Sequence, residues 1–473
     1  MASPLADPVK LPCGLILPNR LSKAAMAERL AKRNRPTKSI NNAYEQWSKG
    51  GWGCILTGNI QVDVNHLGDR FDLALQDEHT KDERLLAEWK TYAAVCQRYG
   101  TPAIAQICHP GRQSMRRAGR RGVFASTIAP SAVPMNVGNR LRDRITSQVI
   151  WSKPREMTRA DIEDAIGRFV NTARVMSDAG FSGVELHGAH GYLIDQFMGS
   201  MTNRRTDEYG GSPERRARLV LDILTRIRKV VPKTFCIGIK LNSADHSTAD
   251  FGEIMIQIKL LVDAGLDFME ISGGSYEDPR MVGYPVTINV PKSESAAARE
   301  AFFFEFARTV RAQHPSLVLM LTGGFRTRAG MEAAIRDNAC DLVGIGRPAT
   351  VDPKFPLLLL DEKIAGENAA LPLKMVPLPF YATILPRNLV GAGAETDFPY
   401  IEIMFKSIRI QGRFMYDRQH VQRLIQMAGS GLLPLGKKAG VTQTEVFGLE
   451  QADGALEAVS KLSGWGSHVV LKP

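Results

Sequence analysis

No two of the six cysteines (Cys13, Cys54, Cys96, Cys108, Cys236, Cys340) form a C-x-x-C pair, and none joins a Cys/His cluster. That spacing supports neither a disulfide framework nor a zinc or iron–sulfur site, so any redox chemistry has to come from an organic cofactor. No run approaches the roughly 20 apolar residues needed to span a bilayer. Residues 1–8 carry neither a basic n-region nor an apolar h-region, so no secretory signal is read there and a cytoplasmic location is expected. No G-x-G-x-x-G turn follows an early strand-like run, which counts against an open, doubly wound dinucleotide-binding sheet. No nucleic-acid-binding motif accompanies the net charge of +11, so a nucleic-acid partner is not expected.

What is present is an ordinary globular composition, 44% hydrophobic and 23% charged, over 473 residues. That length implies one large domain and something smaller. Short apolar runs at 21–27, 53–57, 103–108, 183–187, 236–241, 268–272, 317–322 and 342–346 are bounded by glycine or polar residues, as expected of parallel strands buried on both faces. Amphipathic stretches at 82–98, 159–179, 213–231, 251–264, 296–313 and 329–337 lie between them. Two of these stop at Ala-Gly (Ala179-Gly180, Ala264-Gly265), a helix C-cap signal. The fold class expected is α/β, a (β/α)8 TIM barrel over residues 1–390 with a small C-terminal α/β appendage over 391–473.

A barrel enzyme gathers its chemistry at the C-terminal strand ends. Just past the last two runs stand Gly323-Gly324 and Gly346-Arg347. Backbone N–H groups there, with Arg347 as a charged fork, suit a phosphate; ordinary turn glycines are the plainer alternative. His187 ends the fourth run and His190 follows three residues on. Two imidazoles there can donate to one carbonyl or nitro oxygen and so polarise a conjugated double bond, with Tyr192 close by as a general acid. A metal reading of the pair is disfavoured, because no third ligand stands at metal spacing.

The run 187–218, HGAHGYLIDQFMGSMTNRRTDEYGGSPERRAR, resembles the signature of the old yellow enzymes, a family of NADH:flavin oxidoreductases. Asn19-Arg20-Leu21, His109-Pro110-Gly111-Arg112-Gln113 and Gly346-Arg347 match its other landmarks, and the resemblance runs from about residue 6 to 390. It implies FMN as cofactor, NAD(P)H as reductant and an activated alkene as substrate. It places Ala25, Met26, Ala27, Asn59, Gln106 and Lys240 at the flavin, Gly323, Gly324, Gly346 and Arg347 on its phosphate, and His187, His190 and Tyr192 at the substrate. No metal is implied. The activity implied is reduction of the C=C bond of α,β-unsaturated carbonyls. A desaturase or oxidase on the same fold, and an idle flavin-binding scaffold acting through the tail, are the alternatives; homo-oligomer formation stays open. Iron–sulfur relatives require a cysteine cluster that this sequence lacks. Ala27 stands where many relatives carry Thr or Cys, Lys240 where Arg is common, and Arg215 where Asn is frequent; Lys and Arg differ in hydration and geometry. The run Arg112, Arg116, Arg117, Arg120, Arg121 reads either as a solvated loop or as a contact to nicotinamide phosphates. From about residue 397 the chain resembles the C-terminal end of a medium-chain alcohol dehydrogenase, with helix candidates at 418–428 and 451–461 and a closing strand, but without that family's zinc ligands or nucleotide turn.

Overall fold

The computed structural model describes residues 3–76, 82–122, 124–138, 141–243, 251–273, 294–366 and 368–371, together with two strands near the C-terminus. Eight strands form the frame: β1 (Leu21–Lys23), β2 (Cys54–Leu56), β3 (Ala103–Cys108), β4 (Gly183–Gly188), β5 (Cys236–Asn242), β6 (Phe268–Ser272), β7 (Val318–Thr322) and β8 (Leu342–Ile345). Each pairs in parallel with the next, and β8 pairs back to β1 through Val343 opposite Leu21, so the sheet closes. Closure leaves the eight-strand ring without an edge, and the helices cover the outside. These are α1 (Lys38–Ser48), α2 (Glu83–Gln97), α3 (Arg159–Asp178), α4 (Pro213–Val230), α5 (Phe251–Asp263), α6 (Glu294–Gln313), α7 (Arg328–Arg336) and the short α8 (Arg347–Val351). The expected (β/α)8 barrel is the architecture found.

Strand alternation sorts the side chains into two cores. Leu21, Ile55, Val184, Ile237, Ile239, Ile271, Leu319 and Val343 point outward and pack under the helices. Cys54, Leu56, Ile104, Cys236, Phe268, Val318, Met320 and Leu342 point inward and fill the lower half of the barrel. An antiparallel hairpin, Val9–Lys10 with Ile16–Leu17, adds Val9, Leu11 and Leu17 to that inner cluster. Gly238 is required at its position, since a Cβ there would meet the Phe268 ring at 2.1 Å. The lower interior is a packed apolar core, and buried polar side chains stand above it.

The elements differ from the sequence expectation in three ways. The first strand stops at Lys23, not at residue 27. Ala24 still donates to the Ile345 carbonyl (3.0 Å), after which the apolar run 25–27 leaves the ladder and stands half-buried at the rim. Helix α1 is absent from the amphipathic stretches; its signal is the cap, with Thr37 accepting from Ile40 N at 3.2 Å. The connection 118–153, expected to be a long loop, contains a helix at Leu141–Ile150.

Backbone contacts divide the chain into two units, Met1–Met375 with Met404–Ser407, and Val376–Ile403 with Ile408–Pro473. In the second unit, Gln443–Gly448 and Ser467–Lys472 pair in parallel; the closing strand read from the sequence is the latter. The helix candidates at 418–428 and 451–461 lie outside the described residues.

Candidate active site

Strands β3 to β7 raise a ladder of polar side chains inside the barrel, above the apolar floor. Gln106 on β3 sits in register with Glu185 on β4, and His187 with Lys240 on β5, which in turn faces Glu270 on β6. Gln106 Nε2 donates to Glu185 Oε2 at 2.6 Å, and Lys240 Nζ stands 2.8 Å from Glu270 Oε1. Both glutamates are fully buried. Burial and the neighbouring Glu270 push the Glu185 carboxyl well above its ordinary range. Burial acts on Glu270 in the same sense, but the Lys240 charge beside it outweighs that and holds Glu270 low.

Above this layer, β4 ends in the chain turn that carries both imidazoles. His187 is buried, and its Nδ1 accepts from Ala189 N at 3.3 Å, which assigns the proton to Nε2. Burial, His190 and Lys240 drive its pKa well below the ordinary value, so the ring is neutral. His190 adopts a left-handed backbone (φ 60°), held by its N–H to Asn242 Oδ1 (3.2 Å) and by Gln113 Nε2 to its carbonyl (2.8 Å). Its Nε2 shares a hydrogen bond with Ser272 Oγ at 3.1 Å. The two imidazoles are therefore not equivalent: His187 is keyed by backbone, His190 by the neighbouring strands. Their ring centroids are 5.0 Å apart, and Tyr192 lies 4.4 Å from His187. The Tyr192 hydroxyl accepts from Asn59 Nδ2 at 3.1 Å, so the Asn59 amide, expected at a flavin, here reaches the phenol.

On the other side of the rim, Gly323 and Gly324 take positive φ (144° and 77°) after β7, and Gly346 precedes α8. A Cβ built on Gly346 would find only Met26 Sδ, at 3.8 Å, so bare backbone there faces open space beside the 25–27 segment. That segment is anchored by the next residue: buried Glu28 accepts from Gly58 N at 2.9 Å and from the Tyr44 hydroxyl. An opening rimmed by glycine amides, Arg347, half-buried Ala25–Ala27 and the polar ladder fits a flat ring with a phosphate-bearing chain.

Sequence reasoning missed three groups. Glu185 and Glu270 read as strand residues, and only period-two alternation would have turned them inward. The trio Asp63, His66 and His109 comes together from separate segments, its ligating atoms all within 4.8 Å of one another. Asp63 is already balanced by His66 Nδ1 at 2.6 Å and by Arg168 at 3.8 Å, and burial drives His109 down to about 3. Asp63 and His66 border a cleft of about 550 Å³ in which the guanidiniums of Arg121, Arg155 and Arg168 face the carboxylates of Asp63, Asp161 and Asp164. In the arginine run Arg117 and Arg120 are exposed, as in a solvated loop, whereas Arg112 and Arg121 are drawn inward. Arg112 is buried and donates to Pro134 O (3.0 Å), while Arg121 donates to Asn65 O (3.1 Å), Ser114 O and Met115 O (both 2.8 Å), so guanidinium forks cap carbonyls of an irregular loop.

Comparison with known proteins gives the family. The family model described as "NADH:flavin oxidoreductase / NADH oxidase family" matches residues 4–363. The NADH-dependent flavin oxidoreductase iliE of Neonectria sp. (strain DH2) is 45% identical over 352 residues, 74% of this chain and 46% of that protein, so the chain spans about half the length of that relative. The NADH-dependent flavin oxidoreductase iccE of Talaromyces variabilis is 44% identical over 382 residues, 80% of this chain and 92% of that protein. Among solved structures, the old yellow enzyme homologue from Zymomonas mobilis superposes with a TM-score of 0.60 at 22% identity, covering 77% of this chain and 94% of that one, a likeness of fold. The chain belongs to the NADH:flavin oxidoreductase/NADH oxidase family, the old yellow enzyme family of FMN-dependent oxidoreductases that draw on a nicotinamide reductant.

Proposed function

We propose that the chain is an ene-reductase, reducing the C=C bond of α,β-unsaturated carbonyl compounds at the C-terminal mouth of its barrel. One observation carries the reading: a neutral, oriented imidazole and a buried phenol stand together at one side of the rim, with a glycine-lined opening and Arg347 at the strand ends beyond. Gly323, Gly324, Gly346 and Arg347 would hold the FMN phosphate, Ala25, Met26 and Ala27 the edge of its ring, and Gln106, Lys240 and Asn59 its polar atoms. When bound, FMN supplies the hydride to the substrate's β-carbon, having received it from a nicotinamide. The relatives' names point to NADH as that nicotinamide.

The residues of this chain do the rest. His187 donates its Nε2 proton to the carbonyl oxygen and draws charge from the conjugated bond; as a neutral donor it costs no proton uptake. His190, aimed by Ser272, gives the second donor. Tyr192 protonates the α-carbon, and the Asn59 N–H on its oxygen stabilises the phenolate left behind.

The decisive experiment is a screen of activated alkenes against the nicotinamide-reduced, flavin-loaded protein, with His187→Ala and Tyr192→Phe alongside. Enone turnover that both substitutions depress supports the reading. A yellow, reducible protein that consumes no alkene would sink it, and a folded protein that cannot take up FMN would sink the cofactor assignment as well.

A further inference from the structure

Two carboxylates and one ammonium sit buried in the barrel, with Lys240 in register with His187. Glu185 and Glu270 come from adjoining positions around the wall (β4 and β6, with β5 between), and Lys240 from β5 stands 2.8 Å from Glu270. Gln106 tethers the far side of Glu185 at 2.6 Å. Glu185 and Glu270 are both fully buried and bear on each other's charge, and two such carboxylates in a site without solvent do not both ionise, so one proton is retained. Lys240 decides where it rests: Glu270, 2.8 Å from the ammonium, keeps the charge, and Glu185, whose Oε2 accepts from Gln106, keeps the proton. The cluster is then one cation against one anion. It carries almost no net charge.

We propose that Glu270 is a positioning residue that neutralises Lys240 and thereby sets the reduction potential of the FMN bound above it. This rests on the placement of FMN given under the proposed function. An unopposed lysine beside the ring would favour the electron-rich, reduced cofactor. With Glu270 ionised beneath it, that bias is largely cancelled, and Glu185 serves to hold Glu270 in place without adding charge. The chain therefore keeps a strongly basic residue at the ring while holding the potential down.

The test is the midpoint potential of the FMN-loaded protein, read from flavin absorbance against a reference dye. Glu270→Gln leaves Lys240 uncompensated and should raise the ratio of reduced to oxidised flavin at a fixed poise by on the order of tenfold to a hundredfold. Glu185→Gln replaces a protonated acid by a neutral amide of the same shape and should shift that ratio by less than about threefold. A flavin-loaded Glu270→Gln protein with an unchanged potential overturns the proposal, as does a shift in Glu185→Gln equal to that of Glu270→Gln. If Glu270→Gln fails to fold, Lys240→Met and Lys240→Met/Glu270→Gln decide instead: the double variant should lie within about threefold of the native ratio, with Lys240→Met alone well below it. A double variant no closer to native than the single one overturns it too. Failure of the native protein to bind FMN would strike the placement of the cofactor and not the charge argument, so the two can be told apart.

Discussion

Tyr192 shows how one residue's surroundings decide what its substitution reports. The phenol is buried, touches His187 and takes a hydrogen bond from Asn59, so Tyr192→Phe removes a proton donor while leaving the packing nearly intact. Reduction of the flavin by nicotinamide should be unchanged and the alkene half-reaction slowed by about 10²- to 10⁴-fold, measured by stopped-flow on each half separately. Equal slowing of both halves would show that the phenol has another task. The same surroundings made Tyr192 easy to find, since a Tyr two residues beyond a His pair is visible in any sequence. Glu185 and Glu270 were not, because a glutamate in an apolar run looks like a solvent-facing residue until the barrel closes around it.

At the scale of elements, the strand interiors leave almost no slack. Gly238→Ala on β5 pushes a methyl into the Phe268 ring on β6 and should cost about 1–3 kcal/mol in denaturant-derived stability; a variant as stable as the parent would show that the inner core can relax there. Helix α3 begins with a reciprocal cap between Thr158 and Asp161, supported by a paired contact from Arg155 (2.6 and 2.9 Å). Thr158→Ala should cost about 1 kcal/mol, seen as a lower unfolding midpoint with unchanged slope. The loop carrying His109 gives a pH signature. The folded-state pKa of His109 is depressed to about 3 by burial, whereas in the unfolded chain it is near 6.5. The unfolded state thus binds the proton first, so the contribution of His109 to stability is whole above about pH 6.5 and is lost as pH falls towards about 3. Thermal unfolding of His109→Gln against the native chain should show a shallower loss over that window; parallel curves would remove the assignment.

For the whole molecule, the family match ends at residue 363 and the larger compact unit at Met375 before its short return at Met404–Ser407. We propose that the barrel carries the chemistry by itself. A chain stopped near residue 395, just before the sequence changes character, should bind FMN and turn over an enone within about twofold of the full chain, the scatter expected of surface changes. A truncated protein that folds and binds FMN but is inactive would give the tail a role. The alternation of apolar runs and amphipathic stretches made the eight strands legible because parallel strands buried on both faces have a short, continuous hydrophobic signal. The Asp63, His66 and His109 trio was not legible, because its members come from two different connections and share no periodicity.

By itself the sequence determined the architecture and which residues stand at the barrel mouth, since both obey local rules: an apolar run makes a buried strand, and the residues just past its end stand at that mouth. It also determined which residue types stand there. Only the tertiary structure decided how they are used. Closing the barrel excludes water from its upper interior, and that exclusion makes His187 neutral and pushes the Glu185 carboxyl up, while strand neighbours tie His190 to Ser272 and loop carbonyls take up Arg112 and Arg121. Charge state and hydrogen-bond partner depend on neighbours brought together from distant parts of the chain, and no local pattern encodes them.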